Sequence, residues 1–228
     1  AKYFKTSNSI NANWRKGKIN LFGNYGFSLW RNFNKQNFNT QLYDSKDLPA
    51  NRYVNQHIYS TFSSPNHNFK LGGDYFASSK TTLGFVINGY FEKETDKSHS
   101  VSNFYDSLRR FVQYNMAQGK DNGKWNNMNF NVNFQHKLDT SGSEITADAD
   151  YVFYKTQFNL NLENYLMNAD NTPSEAPYFQ KGHLPSNIHI YTLKADYTHP
   201  FKKDAGIEAG FKISYVKTDN NAQYSLYN

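Results

Sequence analysis

Met128-Asn129-Phe130-Asn131-Val132-Asn133-Phe134-Gln135 is the stretch on which the reading of this chain turns. Apolar residues fall at every second position, with Asn or Gln between them. That two-residue period gives an extended strand two chemically different faces. Met128, Phe130, Val132 and Phe134 form one face; Asn129, Asn131, Asn133 and Gln135 form the other, which Asn127 and Lys137 extend. A slip of one residue would exchange the faces entirely, so the pairing register is strongly specified.

The same alternation recurs on both sides of that stretch. Ile19, Leu21, Gly23, Tyr25, Phe27 and Leu29 alternate with polar or small residues, and Phe22 breaks the pattern. Leu83, Phe85, Ile87, Gly89 and Phe91 make another face, and Ile145, Ala147, Ala149, Tyr151 and Phe153 a third. Tyr191, Leu193, Ala195 and Tyr197 repeat it, as do Ile207, Ala209, Phe211, Ile213 and Tyr215. Phe4 to Trp14 and Phe69 to Ala77 show it less fully, for a total of about eight strands.

The connections come in two sizes. Short ones at Lys16-Gly17, Ala77 to Lys80, Asp139 to Ser143 and Phe201 to Asp204 carry the Gly, Ser, Asp and Lys of tight hairpins. Long polar ones are expected from about Asn34 to Asn55, Ser98 to Lys124 and Asn161 to Ser186. Short turns on one side and long loops on the other are the arrangement of outer-membrane barrels, whose short side is periplasmic.

Composition points the same way. Aromatic residues make up 18% of the chain, with 19 Phe and 18 Tyr, yet mean hydropathy is −0.83. A disordered chain lacks such aromatics, and a soluble sandwich packs its inner faces mainly with Val, Leu and Ile. A wall with lipid on one side and water on the other accommodates both values. No apolar run is long enough for a helical span, but a barrel strand crosses in about 9–11 residues. The predicted fold is therefore all-β: an antiparallel, up-and-down transmembrane β-barrel. Trp14, Trp30, Tyr90, Trp125, Tyr154 and Tyr215, near strand ends, are expected in its interfacial girdles.

On that fold the water-facing side carries Lys70, Asp74, Glu92, Lys137, Asp148, Asp150, Lys194, Asp196, Glu208 and Lys212. Mixed signs suit a wide, wet lumen better than a single-sign ion filter. The formal charge of +6 is spread along the chain without a Lys/Arg block, so a nucleic-acid partner is not expected. Cysteine is absent, which removes thiol and disulfide chemistry.

The seven histidines (His57, His67, His99, His136, His183, His189 and His199) show no zinc-site spacing. Asp148 and Asp150 share a strand face, about 7 Å apart, near the range of glycosidase carboxylates. A hydrated wall explains them more simply. No nucleophile elbow or phosphate loop occurs. Neither enzymatic activity nor a cofactor or metal is expected. The Asn161–Ser186 connection is the richest in aromatic groups, and Tyr165, Tyr178, Phe179 and His183 are its candidate ligand-binding residues.

Trp14-Arg15-Lys16-Gly17-Lys18-Ile19-Asn20-Leu21-Phe22-Gly23-Asn24-Tyr25 resembles a hairpin of the outer membrane protein β-barrel family of Bacteroidetes. Asn68-Phe69-Lys70-Leu71-Gly72-Gly73-Asp74-Tyr75-Phe76 with Lys80-Thr81-Thr82-Leu83-Gly84-Phe85 is similar to a second. Leu193-Lys194-Ala195-Asp196-Tyr197-Thr198-His199-Pro200-Phe201, leading into Ile207-Glu208-Ala209-Gly210-Phe211-Lys212, resembles a third. The resemblance implies a TonB-dependent receptor-like transporter of the bacterial outer membrane, importing glycans, peptides or metal chelates through a barrel of about 22 strands.

Residues 1–228 would then be part of one barrel domain, supplying about eight central strands. The chain opens at Ala1 with no signal peptide, and Tyr224-Ser225-Leu226-Tyr227-Asn228 reads as loop, so a piece of a longer protein is expected. The implied partners are outer-membrane lipid, the rest of the barrel and its plug, a TonB-type energy-coupling protein reached through other segments, and a surface lipoprotein. The family's coupling and plug motifs match no position of this sequence. The alternative is a complete small eight-stranded barrel with a structural or adhesion role.

Overall fold

A computed structural model describes residues 3–43, 51–201 and 205–227. The strands are β1 (Thr6–Lys16), β2 (Ile19–Leu42), β3 (Arg52–Phe76), β4 (Thr81–Tyr105), β5 (Phe111–Lys137), β6 (Glu144–Asn168), β7 (Tyr178–Pro200), β8 (Gly206–Asn220) and β9 (Gln223–Tyr227). No helix occurs among the described residues. Every strand pairs antiparallel with its chain neighbour in the order β1 to β8, and β9 pairs with β7. The sheet is open: among the described residues no ladder joins β1 to β8. The alternative of a complete eight-stranded cylinder therefore gains no support.

The register aligns the apolar faces laterally. One row runs Ile19, Tyr75, Leu83, Phe134, Ala147, Ala195, Phe211, and another Leu71, Ile87, Phe130, Tyr151, Tyr191, Tyr215. These rows make a continuous apolar band next to the short turns. At about 3.3 Å per residue, Leu83 to Phe91 covers about 26 Å, close to the apolar band of about 25 Å in outer-membrane barrels. Among the described residues the band packs against nothing. Among the described residues no hydrophobic side chain is buried, and Val132, Phe211 and Ile213 are 59%, 53% and 63% exposed.

The predicted strands are all present, but they are longer than the alternation indicated. β2 to β7 have 24, 25, 25, 27, 25 and 23 residues. The long connections expected at Ser98–Lys124 and Asn161–Ser186 shrink to the gaps 106–110 and 169–177, and Asn34–Leu42 and Arg52–Asn55 also belong to strands. Beyond the band both faces are polar, so the periodic signal fades while the backbone ladder continues. The rest of the Asn34–Asn55 connection, 44–50, lies outside the described residues, as do 202–204 of the Phe201–Asp204 turn.

Tyr224 to Tyr227, read as loop, are strand. Asn220 pairs with Ser186 and Gln223 with His183 on one register, so β9 continues β8 past an interruption opposite Pro185. Proline has no N–H for the ladder. Pro65 does the same in β3, where pairing with β4 stops at Ser63–Thr95 and resumes at Asn66–Glu92.

Parity also corrects the girdle. Trp14 and Tyr215 lie on the apolar face, but Trp30, Tyr90, Trp125 and Tyr154 project to the polar one. There Lys5 Nζ lies 3.7 Å from the Trp30 ring centroid and Trp125 meets Phe158 at 6.5 Å. Phe22, the break in its strand's pattern, also points to the polar face. Directly opposite stands Gly72, and the phenyl ring occupies the space a Cβ there would need.

Candidate functional site

The polar face gathers the charges that alternation assigned to water. Lys70, Asp74, Lys137, Asp148, Asp150, Lys194, Asp196, Glu208 and Lys212 share it with Glu92, as the register requires. Most carboxylates there have a near partner. Asn20 Nδ2 donates to Asp74 Oδ2 at 3.0 Å, Asn131 Nδ2 to Asp150 Oδ1 at 2.9 Å, and Lys194 Nζ lies 2.6 Å from Asp196 Oδ2. Ser64 Oγ and Tyr90 OH both donate to Glu92. Asp148 stands opposite Lys194, and Asp150 opposite Asn131 and Thr192. The Asp148–Asp150 pair is thus embedded in a hydrogen-bonded amide and hydroxyl wall.

Past the band the strands run on as hairpins. At about 3.3 Å per residue, the part of β5 between Asn126 and Phe111 adds about 50 Å along the strand. The tip after β4 is tied by one carboxylate. Asp106 Oδ1 accepts the Leu108 and Arg110 amides, each at 2.9 Å, and Asp106 Oδ2 lies 2.7 Å from Arg110 Nη2. The Arg110 backbone N–H, then its side chain, hold the Asp106 carboxyl below its ordinary range. This clamp places Arg109 at φ 59° and sets its guanidinium 4.4 Å from the Tyr53 ring centroid. At the tip after β6, Asp170 Oδ1 accepts Thr172 N at 3.0 Å and Thr172 Oγ1 at 2.6 Å.

Beside the Arg109 tip is a concavity of about 490 Å³ lined by Asn39, Gln41, Tyr53, Asn55, Tyr105 and Arg109. Tyr53 and Tyr105 are cross-strand partners, and Phe111 meets Tyr105 edge to face at 5.8 Å. Aromatic faces, amides and a guanidinium suit a polar ligand with flat apolar patches. Sequence reasoning missed these residues because they fell in stretches read as loop. The aromatic pair flanking Asp106–Arg110 was the available signal.

The candidate residues Tyr165, Tyr178, Phe179 and His183 lie on β6 and β7, not in a loop. Tyr165 and Phe179 come together, edge to face at 6.0 Å. His183 shares their face, with Nδ1 2.7 Å from Asn159 Oδ1. Tyr178, opposite Asn164, projects to the other face. Tyr165 OH donates to Glu163 Oε2 at 3.0 Å, which raises the phenol's pKa, with burial adding to it.

All seven histidines occupy the apolar-face parity. His67 bonds Tyr25 and His189 bonds Tyr151, at 2.7 and 2.9 Å, so their rings cap aromatic neighbours. No group of His, Cys, Asp or Glu fit to hold a metal occurs among the described residues. Binding by stacking and hydrogen bonding is what this surface supports chemically.

Residues 136–228 match the family described as outer membrane protein beta-barrel family. The match covers the end of β5, all of β6 to β8 and β9. No curated protein matches the chain. With the unpacked apolar band, this match places the protein in the bacterial outer membrane, its apolar face in the lipid.

Proposed function

Given a place in the bacterial outer membrane, we propose that this chain is a sector of a large TonB-dependent receptor-type barrel whose hairpins help to capture a ligand for import. The observation that carries the reading is the open sheet with its unpacked polar face. A barrel of eight strands fills its interior with side chains. Here the described polar face carries hydrated charges of both signs and buries almost nothing, with Ser64, Ser102 and Ser143 the buried polar residues. Projecting hairpins with an amide- and tyrosine-lined concavity fit ligand capture. A non-catalytic role is part of this reading: Asp150 accepts a hydrogen bond from Asn131, and Asp148 stands opposite Lys194 in the register.

Two measurements test the proposal on the full-length protein. The sequence has no cysteine, so pairs introduced into β1 and β8, such as Ile10→Cys with Phe211→Cys and neighbouring registers, report closure directly. A small closed barrel cross-links them; a larger barrel does not. Capture on the purified periplasmic domain of TonB is the second test. Efficient β1–β8 cross-linking, or no TonB capture from membranes holding the folded full-length protein, would refute the reading.

A further inference from the structure

Lys93 stands directly opposite Lys124, and Lys97 directly opposite Lys120. Like charges in that relation destabilise a sheet. Lys155, opposite Asn126, is the diagonal neighbour of Lys124 on the next strand. All five are exposed, and all share the parity of the apolar band. The lowest of them sit one step beyond its edge, since Lys93 follows Phe91 and Lys155 follows Phe153 on the same face.

Among the described residues no carboxylate neutralises them. The ion pairs among the described residues are Arg110–Asp106 and Lys194–Asp196. The acidic groups of the same strands, Glu92, Glu94, Asp96 and Asp121, have the opposite parity and face the polar side. Among the described strand residues beyond the band, the carboxylates on the lysine face are Glu163, bonded to Tyr165, and Asp219 on β8. Among the described residues, the edge of the band at the short turns has no facing lysine pair on this side.

We infer that Lys93, Lys124 and Lys155, with Lys97 and Lys120 above them, bind the phosphates of an anionic lipid of the outer leaflet. Long hairpins mark the extracellular side of such barrels, so this edge of the band lies at the outer headgroups. Acyl chains would lie on Phe91, Met128 and Phe153 while the ammonium groups meet phosphate. Basic residues at a membrane edge attract anionic headgroups within about a Debye length. A soluble anion would have no use for the adjoining apolar surface. The inference rests on the outer-membrane location and is independent of TonB coupling.

The test uses full-length protein in phosphatidylcholine nanodiscs with or without bis-phosphorylated lipid A, with retained lipid read by native mass spectrometry. Wild type should retain lipid A, and retention should weaken as salt rises. The variant Lys93→Gln/Lys124→Gln/Lys155→Gln should lose retention by on the order of tenfold or more. Removing the like-charge pair should raise its melting temperature in pure phosphatidylcholine, and the lipid A-dependent rise seen in wild type should vanish. The polar-face variant Lys70→Gln/Lys194→Gln should retain lipid A as wild type does. Unchanged retention in the triple variant, salt-independent retention in wild type, or equal displacement by inorganic phosphate would overturn the assignment.

Discussion

Asp96 and Asp121 face each other across the β4–β5 ladder on the polar side, one residue away from the facing lysines of the other side. Burial raises both carboxyls above their ordinary value, and the charge of Asp96 adds to the rise at Asp121. Acids raised in the folded state contribute stability that is complete below the unfolded value, about 3.9. It is lost as pH rises through the folded value. The β4–β5 hairpin should therefore be more protected from hydrogen exchange in mild acid than at neutrality. Asp96→Asn should raise protection at neutral pH and flatten its pH dependence. A profile as steep as that of wild type would contradict this account.

Gly72 has no room for a side chain, because Phe22 lies over it and the Phe85 carbonyl oxygen is 2.9 Å from an added Cβ. Gly72→Val should cost about 1–3 kcal/mol, the usual scale of overpacking. The double variant Gly72→Val/Phe22→Ala should recover part of the loss. Unfolding in phosphatidylcholine vesicles measures both.

Val132 and Asn133 are neighbours on opposite faces, Val132 59% exposed within the apolar band. Val132→Arg should destabilise the folded protein in bilayers by about 2–4 kcal/mol. Asn133→Arg should cost much less, since it meets water. Equal costs would mean that the two faces do not see different solvents.

Asp139 organises the turn between β5 and β6. Its Oδ1 accepts Ser141 Oγ at 2.6 Å, Ser141 N at 2.8 Å and Ser143 N at 3.1 Å. The Ser141 and Ser143 side chains, then their amides, depress its pKa. A depressed acid contributes stability above its unfolded value and loses it as pH falls through the folded one. Asp139→Ala should speed exchange of the Ser141 and Ser143 amides near neutrality. In wild type the same loss should appear only in strong acid.

Much of this architecture was legible where burial in lipid imposes a period of two. Met128 to Phe134 and Ile207 to Tyr215 reveal their strands because a wrong parity would put amides or charges into hydrocarbon. Tyr53 to Phe62 and Phe111 to Lys124 conceal theirs, since water on both sides places no demand on alternation. Trp30 and Trp125 were misplaced for a related reason: strand-end position alone does not tell which face a side chain occupies. The Lys93–Lys124 pairing escaped notice because its members are far apart in sequence. Only the ladder makes them neighbours.

Pro65 and Pro185 have a joint consequence. Through Lys93, Lys124 and Gln157 the register sets them at the same level of the wall, just outside the lipid. Close above it the β5–β6 ladder skips Lys120 and Asp121, where the Asn161 amide groups bond to them instead. Backbone bonds are thus missing along one crease, and a bend across the strands meets least resistance there. Above that level the hairpins are the part of the sheet freest to bend; below it the strands are held by hydrocarbon.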